Sequence, residues 1–173
     1  MMDNINFNIF HELLISKTYK HLGNIPLYGD DMFADMTDVM DFVNSSKKKH
    51  IHNHMAMFEM HRIQDESKCP IMIKEIVKSL KQYEPYKSRS MDVAGLVGLE
   101  GAVGYNWHRD IYHLVAMNII GNTTWHFRDG NTVDMKPGDL MFVPSPIEHS
   151  VVGTTERFTL SFCCPINKGL HSN

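Results

Sequence analysis

The stretch TTWHFRDGNTVDMKPGDLMFVP, running from Thr123 to Pro144, decides the architecture. Trp125 and Phe127 alternate with Thr124 and His126, then meet Asp129-Gly130, a pair that tolerates positive φ and closes a tight hairpin. Val133 and Met135 resume the alternation, Pro137-Gly138-Asp139 turns the chain again, and Leu140 to Val143 form a short apolar run. The same pattern extends in both directions. It predicts strands near 92–105, 112–120, 123–128, 131–135, 140–144, 147–152 and 156–163. Short strands in close succession, joined by turn residues, point to a β-barrel or jelly roll.

Upstream of Ser90 the periodicity changes. Met32, Phe33, Met36, Val39, Met40 and Val43 recur at steps of three and four between Asp30 and Asn44, with Asp30 or Asp31 as N-cap. The methionines at this spacing are read as core fillers. A second helical stretch follows Pro70, with Ile73, Ile76, Val77 and Leu80 on one face. Tyr83 to Ser90, with Pro85 and several charges, is a connector. The expectation is therefore a single domain over 1–173, mainly β with an α+β character: a mostly helical support over 1–90 and a strand-built core over 91–164.

A chain of 173 residues fits one domain and buries enough surface to fold without disulfides or metal, so a metal site in it is more readily functional than structural. Seventeen Lys and Arg against twenty Asp and Glu give a formal charge of −3, which is no strong nucleic-acid signature. No apolar run approaches the roughly 20 residues of a membrane helix. Met1 to Phe10 lacks the basic start and apolar centre of a secretory signal. The isolated Cys69 and the adjacent Cys163 and Cys164 match no disulfide or zinc spacing, so they read as reduced thiols in a cytoplasmic protein.

The chemistry-bearing residues lie between the strands. Trp107-His108-Arg109-Asp110 follows the first of them, and His149 ends the segment that begins at Pro144. Two imidazoles and one carboxylate on one face of a metal leave the opposite positions open, the arrangement of non-haem Fe(II) oxygenases, although Mn, Ni, Co or Zn also accept mixed nitrogen and oxygen donors. In a chain with 11 histidines, a His-x-Asp also occurs by chance as a pair of turn hydrogen-bonding residues. His113 and His126 read as ordinary barrel side chains, and Tyr105, Trp107 and Trp125 as core or pocket wall. His50, His52 and His54 alternate behind Lys47-Lys48-Lys49, an exposed basic strand in the plain reading and a metal or phosphate face in the sharper one.

Gly138 to His149 resembles the second cupin motif (a glycine, five residues, a proline, one residue, a glycine, two residues, a histidine), with Pro146 in the place of the second glycine. With Trp107-His108-x-Asp110, Gly121 ahead of Trp125, and Pro137-Gly138-Asp139-Leu140, the block from Gly95 to Phe162 resembles the double-stranded β-helix core of the Fe(II)- and 2-oxoglutarate-dependent oxygenases, in their cupin-like and JmjC-like branch. The resemblance implies a jelly-roll core with N-terminal buttressing helices. It makes His108, Asp110 and His149 the metal ligands, with Fe(II) as the metal and 2-oxoglutarate and O₂ as co-substrates. The strand lysine that often holds 2-oxoglutarate in the JmjC-like branch has no counterpart in Asn122-Thr123-Thr124-Trp125. Another branch uses an arginine on the last core strand, which matches Arg157, eight residues after His149, with Thr159 two positions on. Arg157 and Thr159 are thus the expected co-substrate contacts, with Asn118 and Thr123 as further polar candidates. The implied activity is hydroxylation or demethylation of an unidentified substrate, with release of succinate and CO₂. A homodimer is a further expectation of the family. The competing readings are a cupin-type metalloenzyme that does not use 2-oxoglutarate and a non-catalytic cupin-like binding module.

Overall fold

The computed structural model describes residues 18–24, 49–52, 55–60, 76–78, 80–82, 92–102, 104 and 106–164. Their strands are β1 (Lys20–Asn24), β2 (Lys49–His52), β3 (Met55–Met60), β4 (Asp92–Gly98), β5 (His113–Ile120), β6 (Thr123–Phe127), β7 (Thr132–Met135), β8 (Asp139–Val143), β9 (His149–Gly153) and β10 (Arg157–Cys164). They form two antiparallel sheets, one of seven strands in the order β1-β8-β5-β10-β4-β3-β2 and one of three in the order β7-β6-β9. After β5 the chain passes to the small sheet for β6 and β7, returns for β8, and crosses again for β9 and β10, and the result is a mainly β jelly roll.

Each of the seven strands expected after Ser90 is present. The hairpin at Asp129-Gly130 forms as its chemistry requires: Gly130 has φ +87°, and Asp129 Oδ1 accepts the Asn131 N–H at 3.0 Å. Pro137-Gly138-Asp139 also turns, with Gly138 at φ +88° and Asp139 Oδ2 accepting the Lys136 N–H at 2.9 Å. The first core strand is shorter than expected. β4 stops at Gly98 because Leu99 to Ala102 form a turn, in which the Ala102 N–H reaches Leu99 O and Gly101 takes φ +74°.

The mostly helical character expected of 1–90 requires correction where that segment is described, because β1, β2 and β3 all join the seven-stranded sheet. β3 extends the sheet beyond β4, and β1 closes its other edge against β8. Helical residues do occur at 76–78 and at 80, with Ile76 and Leu80 fully buried. The expected helix at 30–44, the start of the helix at Pro70 and the connector 83–90 lie outside the described residues, as do Cys69 and Tyr105. His50 and His52 lie on β2, while His54 is again outside them.

The alternation of β10 defines the interior. Phe158, Leu160 and Phe162 are at most 1% exposed and face one side, while Arg157, Thr159 and Ser161 face the other, toward the space between the sheets. The matching rows on β5 and β4 place Asn118 and Leu96 beside Thr159, and Gly98 beside Arg157. Between the sheets, Leu114, Ala116, Trp125, Phe127, Met135, Met141 and Val143 pack as one cluster. Burial of both faces of β5, β8 and β10 removes the polar alternation that a solvent-facing strand would show. Among the described residues, no helix is long and apolar enough to cross a membrane.

Candidate metal centre

His108 and His149 lie opposite each other across an antiparallel bridge, each donating its backbone N–H to the other's carbonyl at 3.0 Å. The pairing fixes both backbones, and their rings lie 4.4 Å apart. Asp110, two residues on from His108, turns its carboxylate toward the same point. Its Oδ1 lies 3.9 Å from His108 Nε2, and its Oδ2 lies 3.6 Å from His149 Nε2. The three ligating atoms fall within 4.8 Å of one another.

The second nitrogen of each ring decides which atom is available. His108 Nδ1 lies 2.8 Å from Asn106 O, and His149 Nδ1 lies 3.1 Å from Ile147 O. A carbonyl only accepts, so each Nδ1 carries the proton and each Nε2 presents a lone pair toward Asp110. His149 is 1% exposed, and burial, reinforced by the nearby His108, holds its pKa below the ordinary imidazole value against the opposing pull of Asp110. Its neutral, ligating form is thereby favoured. Trp125 stacks on His149 with centroids 5.2 Å apart and an interplanar angle of 25°, fixing the ring from the other side. Two neutral imidazoles and a carboxylate on one face suit a divalent first-row metal with open positions.

The pocket beside these residues is partly open to solvent. Ala94, Leu96, Leu114, Trp125 and Val151 give it apolar walls, and Arg157, Thr159 and Ser161 project into it from β10. Arg157 is 2% exposed, and burial pushes its pKa down to about 10, so it remains charged at neutral pH. Its side chain runs between two glycines. A Cβ at Gly153 would lie 3.0 Å from Arg157 Cδ, and one at Gly98 would lie 3.2 Å from Arg157 Nε. Gly153 and His149 end the same strand, so the guanidinium and the metal centre occupy different ends of one pocket, roughly 13 Å of β9 apart.

Four of the expected residues, His108, Asp110, His149 and Arg157, line this pocket, as does Thr159. Asn118 and Thr123 do not. Asn118 is fully buried, donating to Thr123 Oγ1 at 2.9 Å and to Met135 O at 3.0 Å, and accepting from Thr159 Oγ1 at 3.0 Å. Thr123 Oγ1 also accepts from Trp125 Nε1 at 3.2 Å. Both residues therefore brace the pocket wall from behind.

Several supporting residues escaped the sequence reading. Ser145 donates its hydroxyl to Asp110 O at 2.7 Å and its amide N–H to His113 Nδ1 at 3.1 Å, tying the turn before His149 to the segment carrying Asp110. Glu148 bridges Arg109 at 3.2 Å and Arg128 at 2.9 Å, while Arg128 lies 4.1 Å over the Trp107 ring. Arg128, and secondarily Arg109, hold the Glu148 carboxyl below its ordinary range. Glu148 and Arg109 do stand beside candidate ligands in the chain, which is a weak signal, whereas nothing local marks Arg128. Cys163 and Cys164 bond back to carbonyls of their own strand, and burial raises the Cys164 thiol well above its usual value.

No protein-family model matches the chain, and no curated protein matches it. Solved structures do. YcfD, a ribosomal oxygenase from Escherichia coli solved with cobalt and succinic acid, aligns at 12% identity with a TM-score of 0.67, covering 96% of this chain and 54% of its own. The same protein with cobalt and 2-oxoglutarate aligns at 12% identity with a TM-score of 0.66 over the same shares. An RmlC-like cupin from Shewanella frigidimarina aligns at 15% identity with a TM-score of 0.49, covering 73% of this chain and 90% of its own. The fold is a cupin-like double-stranded β-helix. At these identities the likeness concerns the fold alone, and this chain spans about half the length of the oxygenase.

Proposed function

We propose that this protein is an Fe(II)- and 2-oxoglutarate-dependent oxygenase that hydroxylates or demethylates a substrate, releasing succinate and CO₂. The observation that carries the reading is the joint presence, in one pocket, of a His-Asp-His donor set and a buried, charged Arg157 at the other end. The binding of cobalt and 2-oxoglutarate by the structurally similar YcfD supports it.

His108, Asp110 and His149 would hold the metal, which when bound supplies O₂ activation coupled to decarboxylation of 2-oxoglutarate. The chain supplies placement. The two Nδ1–H···O bonds aim the imidazole Nε2 atoms, and Trp125 holds His149 in plane. Arg157 neutralises the distal carboxylate where the apolar walls exclude water, a pairing that a planar guanidinium makes with two parallel hydrogen bonds. The strand lysine of the JmjC-like branch is not needed in this arrangement.

Anaerobic titration of the Fe(II)-loaded protein with 2-oxoglutarate tests the reading through the visible charge-transfer absorption of the chelated co-substrate. Wild type is expected to develop the band, and His108→Ala to lose it. Arg157→Ala should raise the co-substrate concentration required by about 30-fold or more, as removal of one partner of a buried charged pair costs on the order of 2 kcal/mol at least. Retained iron without a band would move the assignment to a cupin-type metalloenzyme that does not use 2-oxoglutarate. Failure to retain any divalent metal would favour the binding module.

A further inference from the structure

Strand pairing fixes His108 and then lapses. The bridge to His149 ends at His108 and the ladder of β5 begins at His113, so residues 109–112, Asp110 among them, have no strand partner among the described residues. Side chains must set the third donor instead. Ser145 holds the Asp110 carbonyl at 2.7 Å, which anchors the backbone. Arg109, one residue earlier, donates from Nη2 to Glu148 Oε2 at 3.2 Å. Exposure alternates along this segment: Trp107, Arg109 and Ile111 are exposed, whereas His108, Asp110 and Tyr112 line the pocket. Where exposure alternates in this way, neighbouring side chains lie on opposite sides of the chain, so holding Arg109 on the outer face turns Asp110 inward.

The Glu148 carboxylate that receives Arg109 is itself held by a second cation. Arg128, in the turn after β6, donates Nε and Nη2 to Oε1 at 3.0 Å and 2.9 Å, and its guanidinium lies 4.1 Å over the Trp107 ring. Oε2 is thereby left for Arg109. From this arrangement we infer that Glu148 is a positioning residue: through Arg109 it holds Asp110 in place as the third donor to a divalent metal. His108 and His149 are set without it, by their backbone bridge and by the stacking of Trp125 on His149. The inference rests on the reading of these three residues as a metal centre, and it assigns the ion pairs outside the pocket to one of the three donors. Both arginine side chains are more than half exposed, so the clasp is open to screening by salt.

Cobalt(II) titration of the 173-residue protein, followed by the visible absorption of the bound ion, tests it. Glu148→Gln, which keeps the size and removes the charge, is expected to weaken cobalt binding about fivefold, the upper range for an exposed ion pair. The deficit should narrow in about 1 M salt. Arg109→Ala should show the same loss, and Arg109→Lys should recover most of it, since a single charged contact does not require the planar fork. The deciding comparison is made in Asp110→Ala, where adding Glu148→Gln should weaken cobalt binding no further. A loss of equal size in both backgrounds would overturn the inference, because Glu148 would then act on His149 or on the pocket as a whole. An unchanged affinity in Glu148→Gln would overturn it as well, with the metal centre intact. Failure of wild type to bind cobalt would overturn the metal-centre reading itself, and the inference with it.

Discussion

Gly98 and Gly153 leave room for Arg157, which a Cβ at either position would crowd, together with Ala102 at Gly98. At Gly153 the backbone is strand without positive φ, so an alanine there acts through its methyl group, which would lie 3.0–3.1 Å from Arg157 Cδ and Nε and 3.2 Å from the Thr155 carbonyl oxygen. Gly153→Ala is therefore expected to shift the guanidinium and weaken 2-oxoglutarate binding by about tenfold, roughly 1.4 kcal/mol, while leaving divalent metal affinity unchanged. Parallel metal and co-substrate titrations check this, and equal losses in both would mean that the whole pocket had moved. At this scale the grouping of His108, Asp110 and His149 was legible through the motif around them and not through spacing alone, since a His-x-Asp also arises by chance at turns. The bracing role of Asn118 was not legible. It depends on Met135 O, a backbone atom brought into place by the return of β7.

Strands carry the site, and the turns between them set its geometry. The strands after Ser90 were readable because period-two alternation and turn chemistry agree, as at Asp129-Gly130 and at Pro137 to Asp139. The overlong expectation for β4 arose because Leu99 continues the apolar run while Gly101, whose φ is +74°, turns the chain. The turn between β8 and β9 does more than reverse direction. Through Ser145 it grips Asp110 O and His113 Nδ1, so His149 and Asp110 move as one body although they come from different elements. Ser145→Ala removes the hydroxyl contact and keeps the amide one. Metal affinity should fall about tenfold, the lower end of what outer-shell partners of metal ligands are worth, as read by competition with a chromophoric chelator. An unchanged affinity would show that the backbone bridge between His108 and His149 suffices to assemble the site.

The molecule as a whole is held by pairings that no local pattern announces. β1, with the sequence KHLGN, is an edge strand with little inward apolar surface, and β3, MAMFEM, is apolar nearly throughout, so neither shows alternation. Their strand character comes from their partners. β3 pairs with β4 from Met55↔Gly98 to Met60↔Val93, and β1 pairs with β8 from Lys20↔Phe142 to Asn24↔Asp139. Asn24 and His21 also reach the buried Asp139 carboxylate, at 2.8 Å and 3.4 Å, and Tyr19 stacks on Phe127 with centroids 3.5 Å apart. A boundary at residue 91 therefore cuts through the large sheet. A chain reduced to residues 91–173 would keep every metal-centre and pocket residue named above, yet leave β4 and β8 as open edges with rows of unpaired N–H and C=O groups. It is expected to lose cooperative thermal unfolding and to associate, as followed by circular dichroism and light scattering, whereas the 173-residue chain is expected to melt in one transition. A truncated chain that melted cooperatively as a monomer and still bound metal would show that the barrel closes without β1 to β3. The site would then depend only on the strands that the alternation after Ser90 reveals.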